Sequence, residues 1–135
     1  MEGVTIRTDP KASPHKRIAV PLSDSKGRIS DRFGEAPFFA VVQVRKVDRR
    51  IEEQRVVENP HLNLAKGRGI RLAEWLVGQK VDEVRLREDI RNKGPGYVFG
   101  DAGLTVRMTE ARHLDALLEE IFPPAASGGN PGNPR

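Results

Sequence analysis

The chain has no cysteine. That excludes disulfides, thiolate-ligated zinc, thiol nucleophiles and any iron–sulfur cluster held by the chain's own sulfurs. Aromatic residues are scarce, at 5%, so the core must be built from Val, Ile, Leu and Ala. Histidine is limited to His15, His61 and His113, too far apart for a His-x-His or His-x-x-x-His ligand pair. No apolar run approaches the roughly 18 residues needed to span a bilayer. Met1 to Lys16 is too polar, and too broken by Pro10 and Pro14, to read as a signal peptide. These absences lead to the expectation of a soluble, cytoplasmic chain. A dominant charge is missing too: 23 basic residues stand against 19 acidic ones, intermixed, for a net +4. Without a basic stripe and interleaved aromatics, no nucleic-acid partner is expected.

What is present fits one domain of 135 residues. Residues 1–15 read as an N-terminal extension and linker, 16–122 as the globular unit, and 123–135, rich in Pro, Gly, Ser and Asn, as a disordered tail. Val4-Thr-Ile6 suggests a short strand in the extension. Arg17 to Leu22 is a first strand, and Phe38 to Val44, apolar almost throughout, a strand buried on both faces. After the polar turn Lys46–Arg50, Ile51 to Glu58 completes a meander. The period then changes. Ile70, Ala73, Leu76 and Val77 mark a helix over 69–78, Val81 to Leu86 a strand, Pro95 to Ala102 a helix stopped at Gly103, and Leu104 to Met108 a last strand. Thr109 is placed to cap a final helix that carries His113 and repeats Leu114, Leu117, Leu118 and Ile121. The order β-β-β-α-β-α-β-α predicts an α/β, ribonuclease H-like fold, a five-stranded mixed sheet with helices covering it.

Three loops hold the residues suited to chemistry. Ile29 to Pro37 sets Asp31, Arg32 and Glu35 beside a glycine and a proline, just before a strand. Lys66-Gly67-Arg68-Gly69 opens one helix and Lys93-Gly94-Pro95-Gly96 opens the next. Glycines there let the backbone approach a ligand, while free N–H groups and the helix dipole attract anions. Each loop, read alone, is better explained as a tight turn; the repetition is what brings the functional reading level with it. Arg71 adds a cation, and His61, in Glu58-Asn-Pro-His61, is the one histidine beside these loops. Neither glycine loop has the spacing of a nucleotide-hydrolysing phosphate loop. The first strand has no acidic residue and Arg32 opposes a divalent ion beside Asp31, so a two-metal nuclease is disfavoured. Trp75 reads as a core or partly covered residue.

The segments Ile18-Ala-Val-Pro21, Ile29-Ser-Asp-Arg-Phe-Gly-Glu-Ala-Pro-Phe38, Val57-Glu-Asn-Pro-His61 and Gly67-Arg-Gly-Ile-Arg-Leu-Ala-Glu-Trp-Leu76, taken in order, resemble the dinitrogenase iron–molybdenum cofactor biosynthesis family. The resemblance runs from about Lys16 to Ile121. It implies a ribonuclease H-like fold without nuclease activity, and a non-enzymatic accessory role in binding or carrying iron–molybdenum or iron–sulfur clusters. One departure matters: where the family commonly has histidine, this chain has Arg32, a permanent cation that cannot ligate a metal. A cluster would then be bound non-covalently and arrive with most of its own ligands. Expected pocket residues are Asp31, Arg32 and Glu35, with His61 as the possible metal ligand. Lys66, Arg68 and Lys93 neutralise charge, and Gly67, Gly69, Gly94 and Gly96 permit close approach. The expected partners are a metal cluster, a small anion or a cluster-assembly protein.

A narrower resemblance concerns Gly3-Val-Thr-Ile-Arg-Thr-Asp-Pro10, similar to the closing strand of the cytosolic domain of cation diffusion facilitator transporters. Lys93-Gly-Pro-Gly-Tyr-Val98 and Asp101-Ala-Gly-Leu104 fit transporters that carry this cofactor-type domain. That resemblance implies an alternative role, a regulatory domain whose partner is the membrane domain of a cation efflux transporter.

Overall fold

The computed structural model describes residues 14–63 and 66–121. The expected strand at Val4–Ile6, all of the linker before Pro14, and the tail 123–135 lie outside the described residues. The elements are β1 (His15–Leu22), β2 (Phe38–Arg45), β3 (Arg50–Glu58), α1 (Arg68–Gly78), β4 (Glu83–Leu86), α2 (Gly94–Ala102), β5 (Thr105–Met108) and α3 (Leu114–Ile121). They form one open, mixed five-stranded sheet in the order β3-β2-β1-β4-β5. β1, β2 and β3 are antiparallel, whereas β1, β4 and β5 run parallel.

Alternation along β1 and β2 sends side chains into two cores, as the pleat requires. Ala19 and Phe39 join Leu72, Leu76, Val84 and Phe99 beneath α1 and α2. Ile18, Val20, Ala40 and Val42 join Leu114 and Leu117 beneath α3. The apolar run of β2 is therefore buried on both faces, as its sequence predicts. Trp75 is half-buried, its ring edge-on to Phe39 at 6.4 Å. β3 and β5 are the edge strands, and all but one of the nine residues of β3 are exposed. The ladder of β3 with β2 slips at Gln43/Val44, a bulge.

The structure corrects two sequence expectations. His15 is no linker residue: it opens β1 opposite Arg45, with its Nδ1 2.6 Å from Glu52. The long β2–β3 hairpin extends the sheet past the point where Pro14 suggested it would stop. Thr109 does not cap α3, and His113 is not inside it. Thr109 Oγ1 accepts the Ala111 N–H at 3.0 Å and donates to Glu120 at 3.0 Å. Arg28 bridges His113 in extended form, and the Leu114 N–H donates to the Gly27 carbonyl, which delays the helix. His113 then acts as the cap, its Nδ1 accepting the Asp115 N–H at 3.2 Å. No helix among the described residues is long and apolar enough to cross a membrane.

Candidate functional site

Parallel β1 and β4 end on the same edge of the sheet, and antiparallel pairing brings the end of β3 there too. The loops after β1, β3 and β4 therefore gather at one rim, where open α/β sheets place ligands. The N-termini of α1 and α2 meet them. A Cβ built on Gly69 would lie 2.9 Å from Pro95 Cγ, and one on Gly34 would lie 3.7 Å from the Gly69 Cα. The Ile29–Pro37 loop and both glycine loops are thus in mutual contact.

Neither helix has a side-chain cap, and neither carries an acidic residue in its first turn. Their leading N–H groups are not taken by a side-chain cap, and Pro95, in the first turn of α2, has no N–H to offer. Gly67, the residue before α1, has φ 69°, a left-handed conformation that glycine adopts without penalty, and open space beside it. The other three glycines serve packing. A Cβ on Gly94 would meet Ile70 at 2.7 Å and one on Gly96 would meet the Ile90 carbonyl oxygen at 2.0 Å. They bring protein segments together rather than a ligand to the backbone.

Glu88, absent from the sequence expectations, joins these parts. One carboxylate oxygen accepts the Phe33 N–H at 2.9 Å and the other the Lys93 ammonium at 2.8 Å. Burial works to raise the Glu88 carboxyl, but Lys93, the Phe33 N–H and nearby Arg32 outweigh it and hold it below the ordinary range. Arg32 and Lys93 are consequently brought to one carboxylate. Arg32 is 67% exposed and lies 4.0 Å from Glu35.

Asp31 goes elsewhere. It pairs with Arg87 at 2.8 Å, and Arg87 also donates to the carbonyls of Glu110 and Ala111. The Arg87 hydrogen bond holds the Asp31 carboxyl below its usual range. Asp31 therefore ties the loop to the β5–α3 turn and is committed to structure. The turn at His61 is anchored by Asn59, which donates to the Ala36 carbonyl at 2.8 Å and accepts the His61 N–H at 2.8 Å. Arg68 donates to the Leu62 carbonyl at 3.3 Å, drawing this turn toward α1. Lys66 is exposed beside Gly67.

Among the described residues no three His, Asp or Glu side chains gather as a metal-holding group. The donor set consists of N–H groups and cations. It suits an anion held by its outer atoms and does not suit a metal held by protein ligands, His61 included.

A family model for dinitrogenase iron-molybdenum cofactor matches residues 15–88. No curated protein matches the chain. Solved structures share the fold. The apo orange protein from Desulfovibrio gigas is 22% identical with a TM-score of 0.60, over 78% of this chain and 87% of that one. A proposed NifB protein from Thermotoga is 25% identical with a TM-score of 0.57, over 78% and 86%. A proposed dinitrogenase from Methanocaldococcus jannaschii is 15% identical with a TM-score of 0.55, over 87% and 96%. From the β1 start through the β4 loop that carries Glu88, the chain belongs to the dinitrogenase iron-molybdenum cofactor family.

Proposed function

We propose that this chain is a non-enzymatic accessory domain that holds an anionic metal cluster, of iron–molybdenum or iron–sulfur type, as cargo. The observation that carries this reading is the pair of uncapped helix N-termini packed side by side at Gly69 and Pro95. Two partial positive charges at one place favour an anion. Arg32, Lys66, Arg68 and Lys93 surround them with formal charge. A cluster would arrive with its own metal ligands and be held through its sulfide or carboxylate periphery. A small oxyanion uses the same donors. Family membership supports the cluster over the oxyanion.

The antiparallel β3-β2-β1 half followed by parallel β4 and β5 supports a ribonuclease H-like reading of the fold. Asp31 is bound to Arg87, which removes it from the metal-binding role such an enzyme would need. The transporter alternative rests on Gly3–Pro10, outside the described residues, and on Lys93–Val98, which here opens α2.

The test is anaerobic titration with an extracted iron–molybdenum–sulfur cluster, read by absorbance and gel filtration. Co-elution that weakens in Arg32→Ala and Lys93→Ala supports the reading. Absence of binding at about 100 μM protein, weaker than about −5.5 kcal/mol, overturns it. Hydrolysis of RNA or DNA with magnesium that is lost in Asp31→Asn would overturn the non-enzymatic part.

A further inference from the structure

On the α3 side of the sheet, at the end opposite the glycine loops, a cavity of about 300 Å³ opens. Its floor is apolar, formed by Ile18, Val44 and Ile121, and its walls carry Lys16, Lys46, Arg49, Arg85 and Glu120. Glu120 already accepts the Thr109 hydroxyl at 3.0 Å. Beneath the cavity lies Glu83, whose side chain is 1% exposed. It pairs with Lys16 at 2.5 Å, with Arg85, and with Arg107 at 3.7 Å. Of these three cations only Lys16 and Arg85 line the cavity, and the one Glu83 charge cannot neutralise both, so positive charge remains at the wall. Arg49 is held at φ 55°, a left-handed conformation that costs an ordinary side chain about 1 kcal/mol. A glycine would occupy that turn without strain, yet an arginine stands there, at the mouth of a basic cavity.

We propose that this cavity is a second binding site, for a small organic anion with one charged head and an apolar body. Arg49 and Arg85 take the head, and Ile18, Val44 and Ile121 take the body. Its volume is at the lower end of small-molecule pockets, which limits the ligand to roughly the size of a two-ring carboxylate or sulfonate. The site shares no residue with the cluster-holding loops, so the two stand or fall separately.

Naphthalene-2-sulfonate is the probe, titrated into full-length protein with labelled Ile and Val methyl groups and followed by NMR. The expected result is saturable shifts at Ile18, Val44 and Ile121 below about 5 mM probe. Arg49→Gly should bind about fivefold more weakly through loss of one charge, while its melting temperature holds or rises because the turn strain is gone. Arg32→Ala, in the other site, should bind as the parent does. Methyls that do not respond, or an unchanged affinity in both Arg49→Gly and Lys46→Glu, would overturn the proposal.

Discussion

The backbone N–H of Phe33 donates to Glu88 at 2.9 Å, across 55 residues of sequence. Through this bond the loop after β1 is fastened to the loop after β4. Phe33 itself is buried between Phe39 and Phe99, with ring centroids 5.7 and 5.6 Å away in edge-on geometry. The polar tie and the aromatic anchor act on the same residue, so Arg32 and Gly34 are carried on a fixed stem.

Glu88→Gln should separate stability from binding. Gln keeps an acceptor for the Phe33 N–H but loses the charge partner of Lys93, at a cost of about 1 kcal/mol. It also removes a negative charge from beside the proposed anion site and releases the Lys93 ammonium. Urea denaturation should show the loss, and anion titration should show tighter binding.

The pH response of the same residue has a defined sign. The Glu88 carboxyl is held below its ordinary value in the folded protein. Its contribution is therefore complete above the unfolded value of about 4.3 and is lost as pH falls through the lower folded value. Asp89, drawn down to about 2 by Arg91, keeps its charge further into acid. Denaturant midpoints measured from neutral pH downward should fall below about pH 4, and less steeply in Glu88→Gln.

Glycine substitutions should divide by what they touch. Gly96→Ala drives a methyl group into the Ile90 carbonyl oxygen at 2.0 Å, backbone against backbone, and should cost about 3 kcal/mol. Gly67→Ala meets nothing within 4 Å and carries only the left-handed backbone penalty, about 1 kcal/mol. Calorimetric melting of the two variants should place Gly96→Ala well below Gly67→Ala.

Glu83→Ala should be among the more damaging single changes. Burial acts to raise this carboxyl, yet Lys16 and Arg85 together hold it below the usual range. Without it the partly exposed Lys16 and the more covered Arg85 lose the buried carboxylate they share, at a cost of about 2 kcal/mol after screening at Lys16. Glu83→Gln, which keeps the volume, should recover only part of that stability in the same denaturation assay.

The sheet was legible where one residue's surroundings are repetitive. The unbroken apolar run Phe38–Val44 announces a strand covered on both sides, and the spacing of Leu114, Leu117 and Leu118 announces a helix on one. Gly103 stops α2 with φ 79°, as a glycine after a helix should. The failures are contacts distant in sequence. Thr109 looked like a cap because capping is read locally, whereas the start of α3 is set by Gly27, 87 positions earlier than Leu114. Glu88 went unnoticed for the same reason: nothing beside it in the chain says that Phe33 and Lys93 will face it. In the candidate site, sequence identified the converging loops and Arg32 and Lys93, but Asp31 is drawn away by Arg87 and Gly94 and Gly96 face protein.

Among the described residues no strand lies beyond β3, so the outward N–H and C=O groups of its alternate residues form a template on which another chain could pair. Arg50, Glu52, Glu53, Arg55 and Glu58 interrupt that template with charge, and the bulge opposite Gln43 and Val44 bends it out of line. Strand-by-strand extension of the sheet is thereby opposed at this edge. High concentration alone should not drive this protein into cross-β assemblies, and the burden of keeping it dispersed falls on these five side chains.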